Sequence, residues 1–537
     1  MAKNKDHTPS ETGGVAKMFM IWIVNAYVFF MLAVYPLYYK DKYYDIDKAK
    51  WLFFRNVSAV FAVLVTVVFI WYTGCFLRKK QLKEFLQNAF KNVIVTDLFV
   101  IGYLIVCFIS SLITPYKENV VWGVDGWYMG LAAQVSFVFI YFCVSRFWRW
   151  DSINLCIYLL SAFAVFFLGV IMRFRIDPMQ MHTGLDDYYV GYFISTLGQV
   201  TWYSSYMCVM IPLGLVAYWC SKDHRQRIAF GIFIVMSFMT AVTQNAESAY
   251  VAMAGIFFML FWISFESDEK LLRFFECVIM ALGAFKLMGL LQKIFADRMV
   301  RLDAISIFMS QSVVTAVLLV LVVLIYLFLK SYVFKKTGFH IASYRIIRTA
   351  ALILVAVGMI GLCFYIWLNS TGKLAKPYSS DIGYLVFNDN WGNNRGVSWR
   401  CTIQAFFKTD LIRKLFGVGP DNFVRYVYAD YKDDFVKVLG EKIVQTCAHN
   451  EWLNTLINFG LLGLFTYLGI FISSFTGCME GAKKYPYLYG VAIAVLAYIL
   501  HNSFCYQQVI CTPTIFILMG MARSVTRYGY KDVYESV

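Results

Sequence analysis

Apolar runs of about 20 residues recur from one end of the chain to the other, and no other feature limits its fold so strongly. Such a run matches the hydrocarbon thickness of a bilayer. Backbone groups inside hydrocarbon must satisfy one another, which a helix does within a single segment. Windows of about 19 residues mark spans near 17–38, 57–77, 93–114, 128–146, 153–172, 200–219, 228–243, 248–265, 274–294, 308–332, 349–368, 453–474, 487–503 and 507–522. The pairs within 228–265 and 487–522 are the least well separated. The expected fold class is all-α: a polytopic membrane bundle of about 12–14 transmembrane helices. Composition agrees, with 60% hydrophobic and 15% charged residues against roughly 45–50% and 25% in soluble domains. A soluble enzyme is excluded.

A net charge of +15 would suit a nucleic-acid binder only if the cations shared one folded face. Here Lys and Arg lie in short clusters between apolar runs, so the expected partner is the lipid bilayer and not nucleic acid. Residues 1–17 are polar and the run that follows is long enough to span, which reads as a signal anchor. If the N-terminus is cytoplasmic, inner segments carry 25 Lys and Arg and short outer segments 11. The positive-inside rule then puts both termini in the cytoplasm. One long segment with 11 further cations faces outward; long loops do not vote.

That segment divides the chain into an N-terminal bundle (1–368), an extracytoplasmic loop expected to carry the site (369–452), and C-terminal spans with a cytoplasmic tail (453–537). Within the loop, Trp399 to Leu415 has near-helical apolar spacing and reads as one amphipathic helix lying on the membrane surface, stopped by Gly417-Val418-Gly419-Pro420.

His449 stands where the loop re-enters the membrane. An imidazole there suits a general base acting on a sugar hydroxyl, although position alone favours an interfacial group capping the next helix. His449-Asn450 is followed by nine residues and then Gly460-Leu461-Leu462-Gly463. Upstream lie Arg395-Gly396-Val397-Ser398-Trp399 and Phe416-Gly417-Val418-Gly419-Pro420-Asp421-Asn422-Phe423. In this order the elements R-x-x-x-W, G-x-G-x-x-x-F and H-N-x9-G-x-x-G resemble the signature of the O-antigen ligase and polymerase family. A fainter likeness runs from Ser195 to Pro212.

The resemblance implies an integral-membrane glycosyltransferase, without metal or other cofactor, at the outer face of the bacterial cytoplasmic membrane. It would move undecaprenyl-pyrophosphate-linked oligosaccharide onto a glycan acceptor, as a surface-polysaccharide polymerase or ligase. Association with other polysaccharide-export proteins is compatible with that place. By similarity His449 is the base and Arg395 holds the pyrophosphate. A guanidinium suits that task because it forks across two phosphate oxygens. Arg400, Asn450, Lys286 and Glu247 complete the expected substrate contacts. The stretch Thr243 to Tyr250 lacks an Arg that family members often carry; it offers Glu247 and Ser248, with Arg173 and Arg175 as substitute cations.

Lys286 lies inside an apolar run, where a charge marks function or snorkels to an interface; a phosphate or Glu247 would partner it. Asp186-Asp187 and Asp433-Asp434 read as solvated loop acids rather than metal ligands. Cys401 and Cys447 could pair or stay reduced. Gly460 and Gly463 are expected to serve close helix packing. The competing function is a lipid-linked oligosaccharide flippase, but transporters are commonly built from internal repeats around a midplane site. None is evident here.

Overall fold

In the computed structural model, residues 11–78, 81, 83, 87, 91–337 and 345–530 are described. The bundle opens with α1 (Glu11–Phe29), prolonged by a π turn and a 3-10 turn to Leu37, then α2 (Ile46–Arg78), α3 (Val95–Ile113), α4 (Leu131–Phe147) and α5 (Ser152–Met172). A two-residue hairpin, β1 (Phe193–Ile194) against β2 (Gly198–Gln199), leads into α6 (Val200–Cys220). Then follow α7 (His224–Thr243), α8 (Ser248–Ser264), α9 (Asp268–Ile294), the short α10 (Ala304–Gln311), α11 (Val313–Phe328) and α12 (Arg345–Ser370). The long loop holds α13 (Trp391–Lys408), α14 (Leu411–Phe416) and α15 (Lys432–Leu439). The chain closes with α16 (Glu451–Ala482), α17 (Leu488–Asn502) and α18 (Thr512–Tyr528).

Every one of the fourteen apolar windows falls on a helix. Ten helices among the described residues are long and apolar enough to cross a membrane. Two of the other short connections end in side-chain caps, which satisfy the free N–H groups of a helix start. Asp223 accepts from Arg225 N at 2.7 Å before α7, and Ser267 from Lys270 N at 3.2 Å before α9.

The connections gather alternately on two faces, as repeated crossing requires. On one face, Thr196 bonds Pro36 O (2.7 Å), Val300 N bonds Arg173 O (2.9 Å), Val124 N bonds Asp421 (2.7 Å) and Asn450 bonds Ser503 O (2.9 Å). On the other, Arg523 reaches Asn92 O (3.3 Å) and Lys270 reaches Trp219 O (3.0 Å). Helix α12 alone has none of its apolar window buried.

The long loop has an apolar core of its own, built from Val397, Cys401, Phe406, Val418, Phe423, Val427 and Phe435. Its amphipathic stretch is not one helix. It breaks at Thr409, and Asp410 starts α14 by accepting from Arg413 N at 3.0 Å. An Asp inside an apolar pattern offers its carboxylate to the backbone, so it favours a cap over a helix interior.

Candidate active site

Arg395 owes its position to a strained start of α13. Gly392, Asn393 and Asn394 all take left-handed backbone, with φ of 59°, 60° and 65°. For a non-glycine residue that geometry costs about 1–3 kcal/mol, and such strain tends to sit at functional sites. It folds Arg395 back so that Nη1 donates to Gly392 O at 2.8 Å. Its Nε is buried with no hydrogen-bond partner among the described residues. A Cβ on the next residue, Gly396, would lie 1.9 Å from Asn388 O, so the Arg-Gly pair fits only as glycine.

His449 is also left-handed (φ 47°), one residue before the cap of α16. Asn450 makes that cap, its Oδ1 accepting from Leu453 N at 3.0 Å while its Nδ2 donates to Ser503 O at 2.9 Å. The imidazole stands edge-on to Tyr506, ring centres 5.2 Å apart. Neither ring nitrogen has a hydrogen bond among the described residues. Burial first, and then the Arg395 charge, hold the imidazole well below its ordinary value, at about 3. It is therefore neutral across the physiological range, with its nitrogens free. The same charge reaches His501, so Arg395, His449 and His501 share one electrostatic neighbourhood.

Beneath this pair lies a hydrogen-bonded core that sequence reasoning missed. The Glu451 carboxylate, 1% exposed, accepts from Tyr467, from Tyr498 (3.1 Å) and from Asn502. Asn502 Oδ1 meets His501 Nδ1 at 3.0 Å, and His501 Nε2 meets Ser204 Oγ at 2.9 Å. Tyr506 donates to Gln199 at 3.1 Å, bringing in the hairpin where the fainter likeness begins. Trp391, Trp399, Phe387 and Phe504 cluster beside Arg395, with Trp391 and Trp399 ring centres 5.1 Å apart.

The other expected residues fall elsewhere. Arg400 is taken up by carboxylates: both oxygens of Asp389 at 2.8 Å and Asp434 at 3.1 Å. Glu247 accepts from Tyr384, which is within electrostatic range of Arg395. Lys286 does not meet Glu247; it donates to Ser312 O (2.9 Å) and Thr315 (3.3 Å), tying α9 to α11. Arg173 is buried on carbonyls, Thr243 O at 2.7 Å and Gly191 O at 3.1 Å, with Nη2 unpartnered. Arg175 pairs with Asp187, and Asp186 caps the turn that follows it. Cys401 and Cys447 are both free thiols.

The glycine motifs join the loop to the bundle. Gly460 breaks α16 (φ 71°, ψ −169°), and Gly417 (φ 79°) ends α14. Each glycine lies on the other's backbone. A Cβ on Gly417 would lie 2.3 Å from Asn458 C, and one on Gly460 would lie 2.4 Å from Leu415 C. Val418 N and Gly419 N then donate to Ile457 O and Asn458 O, both at 3.0 Å. The close contact expected of Gly460 is thus with the loop, not with another span. It needs glycine because no side chain fits between the two backbones.

No curated protein matches this chain. Residues 299–468 match the family model described as O-antigen ligase, and that interval contains Arg395, the docked Gly-x-Gly element, His449 and the break at Gly460. Over that interval this multi-pass membrane chain is similar to the O-antigen ligase family, a likeness that supports a membrane glycosyl-transferring role in polysaccharide biosynthesis.

Proposed function

We propose that the chain transfers oligosaccharide from undecaprenyl pyrophosphate to an acceptor sugar hydroxyl at the outer face of the bacterial cytoplasmic membrane, with Arg395 on the pyrophosphate and His449 as the base. The observation that carries this reading is an imidazole with both nitrogens free in the electrostatic range of a guanidinium whose Nε has no partner. In the reaction the acceptor oxygen bonds the anomeric carbon as its proton passes to His449. The bond from that carbon to the pyrophosphate oxygen breaks, and the charge left on oxygen is met by Arg395. A base held at about 3 is weak until donor binds. Pyrophosphate beside Arg395 offsets the cation and raises the imidazole, so the base gains strength when substrate is present.

Arg400, Asn450, Glu247 and Lys286 hold the surrounding scaffold in this reading, since each has protein partners. A flippase is disfavoured because Arg395 and His449 both belong to the long loop outside the spans, whereas transporter sites are commonly at the midplane. The test is purified His449→Ala with undecaprenyl-pyrophosphate glycan and acceptor. Transfer should fall by about 10²–10⁴-fold, the usual contribution of a positioned base, while donor binding persists. Transfer at the parental rate overturns the assignment.

A further inference from the structure

On the face opposite the candidate site, α3, α4, α16 and α18 enclose a cavity of about 470 Å³. Its wall mixes apolar groups such as Ile94 and Met519 with Thr96, Ser474, Arg523 and Thr526. Two of its polar atoms are buried and without a hydrogen-bond partner among the described residues: the hydroxyl of Ser474, a side chain 7% exposed, and Arg523 Nε. The start of α3 borders the same space through Ile94, Val95 and Thr96, and it is already capped by a carboxylate, Asp97 accepting from Ile94 N at 3.2 Å.

Among the described residues, the cations here outnumber the buried carboxylate: Arg523 lies in the range of Arg527 and Arg146 and of Asp97. Arg146 is satisfied by both oxygens of Asp97, at 3.1 and 2.8 Å. Arg523 and Arg527 instead converge on one carbonyl, Asn92 O, at 3.3 and 3.2 Å, and Arg523 Nη1 donates to the Thr526 hydroxyl at 3.3 Å, so their acceptors are neutral. The one carboxylate in the wall, Glu480, is exposed and makes no ion pair with them among the described residues. Two guanidinium groups sharing a neutral acceptor beside an unpartnered hydroxyl are short of an anion.

We infer that this cavity binds a phosphate group, with Arg523 and Ser474 as its donors, and that the half-apolar wall takes the adjoining part of an amphiphile. The ligand class is an anionic phospholipid headgroup or a soluble phosphate. The inference is independent of the glycosyl-transfer reading, because it concerns the other end of the bundle.

Gly477 makes the test clean. It lines the cavity, and a Cβ there meets no atom within 4 Å. Gly477→Leu therefore fills the space while leaving every charge in place, and Arg523→Gln removes the main donor. The full chain in a neutral detergent is titrated with short-chain phosphatidylglycerol, with phosphatidylcholine of equal chain length, and with inorganic phosphate. Binding is read by native mass spectrometry. Phosphatidylglycerol should bind about tenfold more tightly than phosphatidylcholine, and each variant should lose about tenfold, the scale of one charge-assisted bond. Inorganic phosphate showing the same loss in the variants assigns the site to a soluble phosphate; no response to it assigns the site to the lipid. If neither probe distinguishes the parent from Gly477→Leu, the inference is overturned.

Discussion

Replacing Gly460 by Ala should separate the loop from the membrane domain, and its cost follows from two features of the same residue. At φ 71° and ψ −169° the backbone occupies a region that is essentially glycine's alone, a penalty of about 1–3 kcal/mol for any other residue. The new methyl would also lie 2.4 Å from Leu415 C and O and 2.5 Å from Phe416 N. Those are backbone atoms that cannot rotate aside, and overpacking of this kind costs about 1–3 kcal/mol more. The sum is about 2–6 kcal/mol. Gly358→Ala is the control. Gly358 sits in α12 with nothing within 4 Å of a Cβ, so Ala should be neutral or gain up to about 1 kcal/mol of helix propensity. Unfolding of the purified proteins, followed by tryptophan fluorescence, measures the difference, and limited proteolysis of residues 371–450 shows whether the loop has come away. Gly417→Ala pushes the same two backbones apart from the other side, so the double variant should cost clearly less than the sum of the singles. If Gly460→Ala and Gly358→Ala unfold within about 0.5 kcal/mol of each other, the backbone-on-backbone contact does not hold the loop.

Arg395→Ala should lower transfer about tenfold to a hundredfold, the range of charge-assisted bonds to phosphate. Arg395→Lys should recover part of it, because an ammonium cannot fork across two oxygens; full activity in the alanine variant removes Arg395 from the site. Because His449 in the free protein stays neutral down to about 3, kcat/KM for the donor should show no imidazole inflection near pH 6–7 and should fall only near pH 3–4. Removing the neighbouring cation in Arg395→Gln raises that pKa, so the inflection in its residual activity should move upward. A reporter fused after Lys408 and one fused after Lys222 should report opposite sides of the membrane, and agreement between them would break the alternation of the connections.

The bundle was legible because hydrophobic span length is a one-dimensional property: each window could be read without knowing its neighbours. Arg395, His449 and the Gly-x-Gly element were legible because they lie within one continuous segment and in a fixed order. His501, Tyr506 and Gln199 carry no such local mark. They reach His449 through the packing of α17 and the hairpin before α6, and that proximity exists only in three dimensions. The partners of Glu451 come from α16 and α17, so its three donors could not be inferred from its place after His449-Asn450. Lys286 was misleading for a related reason. Its charge signalled a partner, but a carbonyl freed at the end of α10 serves it in place of a carboxylate. The break before Asp410 was overlooked because apolar spacing was given more weight than the capping habit of an acid.

Helix α12 contributes length and apolarity rather than packing. None of its apolar window is buried, yet it joins α11 to the loop that docks on α3 and α16. With no buried face, its length and apolarity are the properties it supplies, and they are the properties by which a segment is recognised as a span ahead of the 80 or so residues that follow. Shuffling its apolar residues, with length and overall hydropathy kept, should therefore yield a protein that inserts and folds normally. Shortening the helix below a bilayer's thickness should strand the loop on the wrong side, with every site residue intact and none of them in reach of one another.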